Sequence, residues 1–164
     1  MEQKFTSKGT SINSSKSPVI YSLKKAVESM TGKRVIDIGG GKFDTAIETA
    51  KKYGALVFIY DPYNRTEEHN TSVLNGAYDV AVLSNVLNVI NSSSARADVI
   101  KLAAQKSSQI LITVYEGNKS GVGKQTSADS WQENRCTADY VNEIKSVLPE
   151  WNVVRFGKLI KATK

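Results

Sequence analysis

One short stretch constrains the fold more than any other. Arg34-Val-Ile-Asp37-Ile-Gly39-Gly40-Gly41-Lys-Phe43-Asp44 is an apolar run that ends in three glycines and passes into a helical pattern. The apolar run suits a strand buried on both faces, and such strands belong to parallel sheets covered by helices. Glycines where a strand hands over to a helix let backbone approach a ligand closely, where a side chain would collide. Parallel strands also need long crossover connections, so this junction asks for alternating strands and helices around it.

The remaining pattern supplies that alternation. Pro18 precedes Val19, Ile20, Leu23, Ala26, Val27 and Met30, whose spacing predicts a helix stopped by Gly32. Asp44 to Tyr53 reads as a second helix with Ala46, Ile47 and Ala50 on its inner face, and Ala55 to Tyr60 as a second buried strand closed by Asp61 and Pro62. A polar stretch with some helical character, Asn64 to Gly76, leads to strands over Asp79 to Leu83 and Gln109 to Tyr115, with a helix over Arg96 to Gln105 between them. Glu116 to Glu133 has no apolar period and reads as a long loop, either a lid or disorder. A helix over Thr137 to Leu148 follows. Strands over Asn152 to Phe156 and Leu159 to Thr163 are then joined across Gly157 and Lys158, which suits a type II′ hairpin. The expected fold is therefore α/β, a Rossmann-like doubly wound and mostly parallel sheet with a C-terminal antiparallel hairpin. Residues 18–164 form its one domain, preceded by a Ser- and Lys-containing arm, residues 1–17, that is flexible or closes over substrate.

Composition narrows the setting. No run approaches the roughly 18–20 apolar residues of a membrane span, and the N-terminus lacks the apolar stretch of a secretory signal. Cys136 is the single cysteine, so no internal disulfide can form and a cytoplasmic home is expected, as a monomer or small homo-oligomer. The net charge of +6 leans the partner toward an anion, although the basic residues are scattered.

Three markers sit at successive strand ends, where open α/β sheets bind ligands. The first is the glycine loop. A dinucleotide fingerprint needs G-x-G-x-x-G, but the third position is Asp44, whose carboxylate would repel a pyrophosphate. A ligand without phosphate and with a cationic centre fits better. The second marker is Asp61, 24 positions after Asp37, placed to accept hydrogen bonds from two ribose hydroxyls. The third is Ser84-Asn85-Val86-Leu87-Asn88.

With these residues the chain resembles the class I S-adenosylmethionine-dependent methyltransferases, whose D-x-G-x-G pattern matches Asp37, Gly39 and Gly41. Phe43 departs from the pattern, since the family often carries a third glycine there. The likeness spans Lys33 to Tyr115, and the Asn85 to Ile90 stretch is similar to small orphan methyltransferases of bacteria and their phages. It implies S-adenosylmethionine as cofactor, held by Asp37, Gly39, Gly40, Gly41, Asp61, Tyr63, Ser84, Asn85 and Val86, with Asn85 also orienting the acceptor. Such chemistry needs alignment more than acid–base groups, because a sulfonium is already a good leaving group. That suits a chain with one histidine, His69, which reads as a solvated surface residue, and with no metal-ligand cluster. In the long loop Trp131 reads as a buried tie and Arg135 as a substrate-binding, catalytic-site residue; Cys136 reads as a plain helix-start residue. Nucleic acid or a nucleotide is the preferred acceptor class. An alternative keeps the fold without turnover, as an S-adenosylmethionine-binding or interaction module.

Overall fold

The structure, a computed structural model, describes residues 3–8 and 16–164. The middle of the expected arm, residues 9–15, lies outside the described residues.

A 3-10 turn, Val19–Ser22, leads into α1 (Lys24–Met30) and then β1 (Arg34–Ile38). There follow α2 (Thr45–Lys51), β2 (Leu56–Tyr60), α3 (Glu67–Leu74), β3 (Val80–Ser84), α4 (Ser93–Lys106) and β4 (Gln109–Thr113). A hairpin of β5 (Lys124–Ser127) and β6 (Ser130–Gln132) precedes α5 (Thr137–Val147), and β7 (Asn152–Phe156) and β8 (Leu159–Thr163) end the chain. Six strands make one sheet in the order β2-β1-β3-β4-β8-β7. Strands β1 to β4 run parallel and β8 antiparallel to its neighbours, so β7 again points the same way as β4. The expected hairpin is therefore present, but only its second strand opposes the rest. Gly157 has φ +60° at the first central position of its turn, as a type II′ turn requires.

The sheet alternates with the two-residue period of a strand. Val35, Val57, Ile59, Val80, Val82 and Leu111 join Ala26, Met30, Ala46 and Ala50 in a core under α1 and α2. Ile36, Ile38, Ala81, Leu83, Ile110 and Ile112 join Val73, Ile100, Ala103, Tyr140 and Ile144 in a second core under α3, α4 and α5. Helices thus cover both faces, the doubly wound arrangement the alternation implied. Among the described residues no helix is long and apolar enough to cross a membrane.

From β1 the chain steps to β2 on one side and reaches β3 on the other. Sheets of this kind open a crevice where the strand order reverses, outside the carboxyl ends of the strands. The Gly39–Gly41 loop leaves β1 at that point, and Asn85 leaves β3 beside it.

Candidate functional site

A cavity of about 830 Å³ opens over these strand ends. Asp37, Gly39, Gly40, Gly41, Asp61 and Tyr63 line one part of it, and Ser84, Asn85 and Val86 another. Every residue expected to hold a cofactor is thus gathered in one place.

The glycines are required by how closely the strand ends approach. Gly39 adopts φ +79°, its N–H donates to the Tyr60 carbonyl at 2.7 Å, and a Cβ there would lie 2.7 Å from Val86 Cγ2. A Cβ on Gly40 would lie 2.9 Å from both Asp37 Cγ and Ile59 Cγ2. A ligand in the crevice therefore meets bare backbone.

Asp61 fastens this loop to the end of β2. Its Oδ2 accepts from the Gly41 N–H at 2.9 Å, and its Oδ1 accepts from the N–H groups of Tyr63 and Asn64 and from Asn64 Nδ2. Asp61 is thus the turn former that its place before Pro62 suggests, and Oδ2 still has acceptor capacity. Arg65 clamps the loop from its other side: Nε donates to the Gly41 carbonyl, and Nη2 to the Phe43 carbonyl and Asp44 Oδ1. Asp44, the anion at the helix start, is therefore ion-paired at 2.9 Å. Nothing in the polar stretch around Arg65 signals this role in the sequence.

Asp37 lies at the cavity floor, 1% exposed. Tyr21, from the turn before α1, donates its hydroxyl to Asp37 Oδ2 at 2.5 Å, while the buried Oδ1 has no partner. Burial lifts the Asp37 carboxyl from 3.8 to about 6, opposed by the Tyr21 hydrogen bond, reinforced by the Asp61 charge and opposed again by Arg65. The Tyr21 phenol is pushed well above its ordinary value, first by its own burial and then by the Asp37 charge.

Asn85 has φ +56°, a left-handed conformation that asparagine tolerates better than most residues, and its N–H donates to the Thr113 carbonyl at 2.9 Å. The left-handed turn leaves the residue exposed at the cavity.

The opposite wall corrects two expectations. The long loop carries the β5–β6 hairpin, and Thr126, Ser130, Trp131 and Gln132 line the cavity. Trp131 donates Nε1–H to Glu133 and stacks on Phe5 of the arm, with ring centroids 5.5 Å apart. Phe5 is buried, the Ser7 N–H donates to the Asp129 carbonyl, and Gln3, Thr6 and Ser7 reach the cavity. Arg135, by contrast, does not line it. Its guanidinium donates to Glu143 at 2.6 Å and to the Asp139 carbonyl, and covers the Tyr140 ring at 4.2 Å. Glu143 also receives Arg96, which bonds Glu133 and the Ile90 carbonyl as well. Arg135 therefore belongs to an ionic tie between the loop, α4 and α5, because partners on α5 lie closer than any ligand space.

His69 is exposed outside the cavity, with Nε2 bonded to the Ile59 carbonyl at 2.7 Å. Cys136 caps α5 in a reciprocal box with Asp139. None of the chain's 22 lysines and arginines is among the described residues lining the cavity. The positive charge that leaned toward an anionic partner therefore lies elsewhere on the molecule, while Trp131 and Gln132 of the long loop do line the cavity.

No family model and no curated protein matches the chain. Solved structures do. A 1,6-didemethyltoxoflavin-N1-methyltransferase of Burkholderia thailandensis, with 1,6-didemethyltoxoflavin and S-adenosylhomocysteine bound, superposes with a TM-score of 0.66 at 13% identity, over 97% of this chain and 84% of that one. Human N-acetylserotonin methyltransferase in complex with S-adenosylmethionine gives a TM-score of 0.57 at 14% identity, over 89% of this chain and 50% of that one. An O-methyltransferase family protein from Burkholderia thailandensis gives 0.50 at 17% identity, over 89% and 54%. The chain spans about half the length of the latter two. The chain shares the fold of these solved structures, a doubly wound sheet whose C-terminal strand runs antiparallel to its neighbours.

Proposed function

We propose that the chain binds S-adenosylmethionine across the ends of β1, β2 and β3 and transfers its methyl group to a small molecule enclosed beneath the β5–β6 hairpin. The observation that carries this reading is the floor of the cavity. A buried carboxylate oxygen, Asp37 Oδ1, has no partner, beside Gly39 and Gly40, where an added Cβ would collide with Val86, Asp37 and Ile59. S-adenosylmethionine carries an ammonium and a sulfonium, and the charged side chains among the described lining residues are Asp37, Asp61 and Asp98. The fit is one of sign and of space. Asp37 would take the ammonium, the open acceptor site on Asp61 Oδ2 a ribose hydroxyl, and the Gly39–Gly41 backbone the face of the nucleoside. Ser84, Asn85 and Val86 would border the sulfonium.

When bound, S-adenosylmethionine supplies an activated methyl group on a leaving thioether. The chain's own residues then have three tasks. Asp61 and Arg65 hold the glycine loop in one shape, so the nucleoside is bound without reorganisation. Asn85 stands at the end of β3, where it orients an acceptor. The hairpin and residues 3–8 exclude water above it.

Calorimetry with S-adenosylmethionine tests the reading, and absence of binding at millimolar ligand removes it. Asp61→Ala is expected to weaken binding about tenfold or more, since a hydrogen bond to a charged group is worth roughly 1.5–3 kcal/mol. An unchanged dissociation constant would show that Asp61 serves the loop alone.

A further inference from the structure

Resting on that reading, the far wall of the cavity says what kind of acceptor it takes. Three groups there fix one another's orientation. The Tyr115 carbonyl can only accept, and it takes Gln132 Nε2–H at 2.8 Å. Gln132 Oε1 is thereby turned to accept Asn88 Nδ2–H at 3.1 Å. Asn88 Oδ1 is left buried with no hydrogen-bond partner, on a residue that is 2% exposed and lines the cavity. The Asn88 main chain is held as well, its carbonyl accepting from the Glu133 N–H at 2.9 Å. A buried acceptor without a donor costs about 1–3 kcal/mol, so a ligand N–H or O–H there removes a standing penalty.

The choice between N–H and O–H follows from the groups that are near. The described lining residues include no histidine, lysine, arginine, cysteine or glutamate. The carboxylates are Asp37, bonded to Tyr21, Asp61, occupied by the loop amides, and Asp98 on α4. An ordinary carboxylate is a weaker base than a phenolate by about six pKa units, and Asp37, raised to about 6, by about four, so none ionises a phenol or an alcohol for attack. An amine or ring nitrogen already presents its lone pair. Trp131, stacked on Phe5, lines the cavity and adds aromatic surface that suits a planar partner.

We propose that the methyl acceptor is an uncharged, planar nitrogen compound whose N–H is held by Asn88 Oδ1. The lone pair of an amino nitrogen, or of a ring nitrogen conjugated with the held N–H, forms the new N–C bond while the S–C bond breaks with its electron pair staying on sulfur. The resulting cation is neutralised when the N–H held by Asn88 gives its proton to water. The Asn88 carbonyl dipole and the acidic groups Asp37, Asp61 and Asp98 among the described lining residues favour the positive charge as it develops.

The test uses the full chain loaded with S-adenosylhomocysteine and four probes: benzimidazole, 8-aminoquinoline, 2-naphthol and adenosine 5′-monophosphate. Calorimetry is expected to show the nitrogen heterocycles binding about tenfold or more tighter than 2-naphthol and the nucleotide. Mass spectrometry after incubation with S-adenosylmethionine is expected to place the methyl group on nitrogen. Asn88→Leu is expected to abolish this preference while S-adenosylhomocysteine affinity holds. The wild-type ranking of the probes settles the matter even where that variant does not fold. Binding of 2-naphthol or the nucleotide as tight as the heterocycles, methylation on oxygen, or a loaded protein that binds neither heterocycle would each overturn the proposal. Failure to bind S-adenosylhomocysteine at all would instead remove the methyl-transfer reading, and this acceptor with it.

Discussion

Replacing Asp37 with asparagine separates a cost to folding from a contribution to binding. The carboxylate is fully enclosed, one oxygen is bonded to Tyr21 and the other to nothing, and its pKa is raised from 3.8 to about 6. Between those values the folded chain holds a proton that the unfolded chain has lost. By linkage its stability therefore falls as pH rises from about 4 to about 6, and above that the loss is complete. Taking 1.36 kcal/mol per unit, the loss between pH 4 and pH 7 is roughly 2–3 kcal/mol. Asparagine does not titrate. The offset it introduces, including an amide NH₂ beside Gly40, is the same at every pH. Urea unfolding of both proteins without ligand, from pH 4 to pH 7, should show the variant gaining on the wild type by that amount. In melting temperature this is about 5–10 °C for a chain of this size. The same variant should bind S-adenosylmethionine more weakly, because the enclosed negative charge is gone. Stability differences that stay constant across the range would refute the assignment of an ionised, desolvated carboxylate at this position.

Three further perturbations have outcomes fixed by geometry. Gly39→Ala places a Cβ 2.7 Å from Val86 Cγ2 at φ +79°, so thermal melting should report a loss of about 2–4 kcal/mol, and Val86→Ala in the same chain should recover part of it. Arg96→Met leaves Glu133 without its guanidinium partner and should cost about 3 kcal/mol in chemical unfolding, more than Arg135→Met, whose side chain is more exposed. Phe5→Ala should leave the global unfolding midpoint nearly unchanged, because residues 3–8 add no strand to the sheet. It should also shift Trp131 emission to the red and open the arm to proteolysis.

The parts of the fold legible in the sequence are those where one local signal matches one structural demand. Val35 to Ile38 and Ile110 to Thr113 are buried on both faces because helices cover both, Leu56 to Tyr60 at the sheet edge is buried fully on one face and in part on the other, and Gly157 marks its turn because the turn needs a positive φ. Element ends were harder to place. The Val19 to Met30 period is shared between a 3-10 turn and an α-helix, which both place i and i+3 on one side. Helix α4 starts three residues before Arg96, where the Ser92 hydroxyl accepts the Ala95 N–H within a run of serines that gives no apolar cue. The β5 strand is exposed along its whole length, so no alternation announces it. Of the site, the glycine loop, Asp61 and Asn85 carry their spacing in the chain. Arg65, Tyr21, Gln132 and Phe5 act through partners brought in from distant sequence. The role expected for Arg135 was lost to Glu143, eight residues further on, which no loop pattern reveals.

The two sides of the cavity differ in how firmly they are held. Below, the glycine loop is latched by two side chains and a sheet; above, residues 3–8 meet the hairpin at the stack of Phe5 on Trp131 and where the Ser7 N–H donates to the Asp129 carbonyl. Such a stack adds only about 0.5–1.5 kcal/mol beyond the area it covers. Parting residues 3–8 from the hairpin would therefore open the cavity to a small molecule while every strand of the six-stranded sheet stays paired.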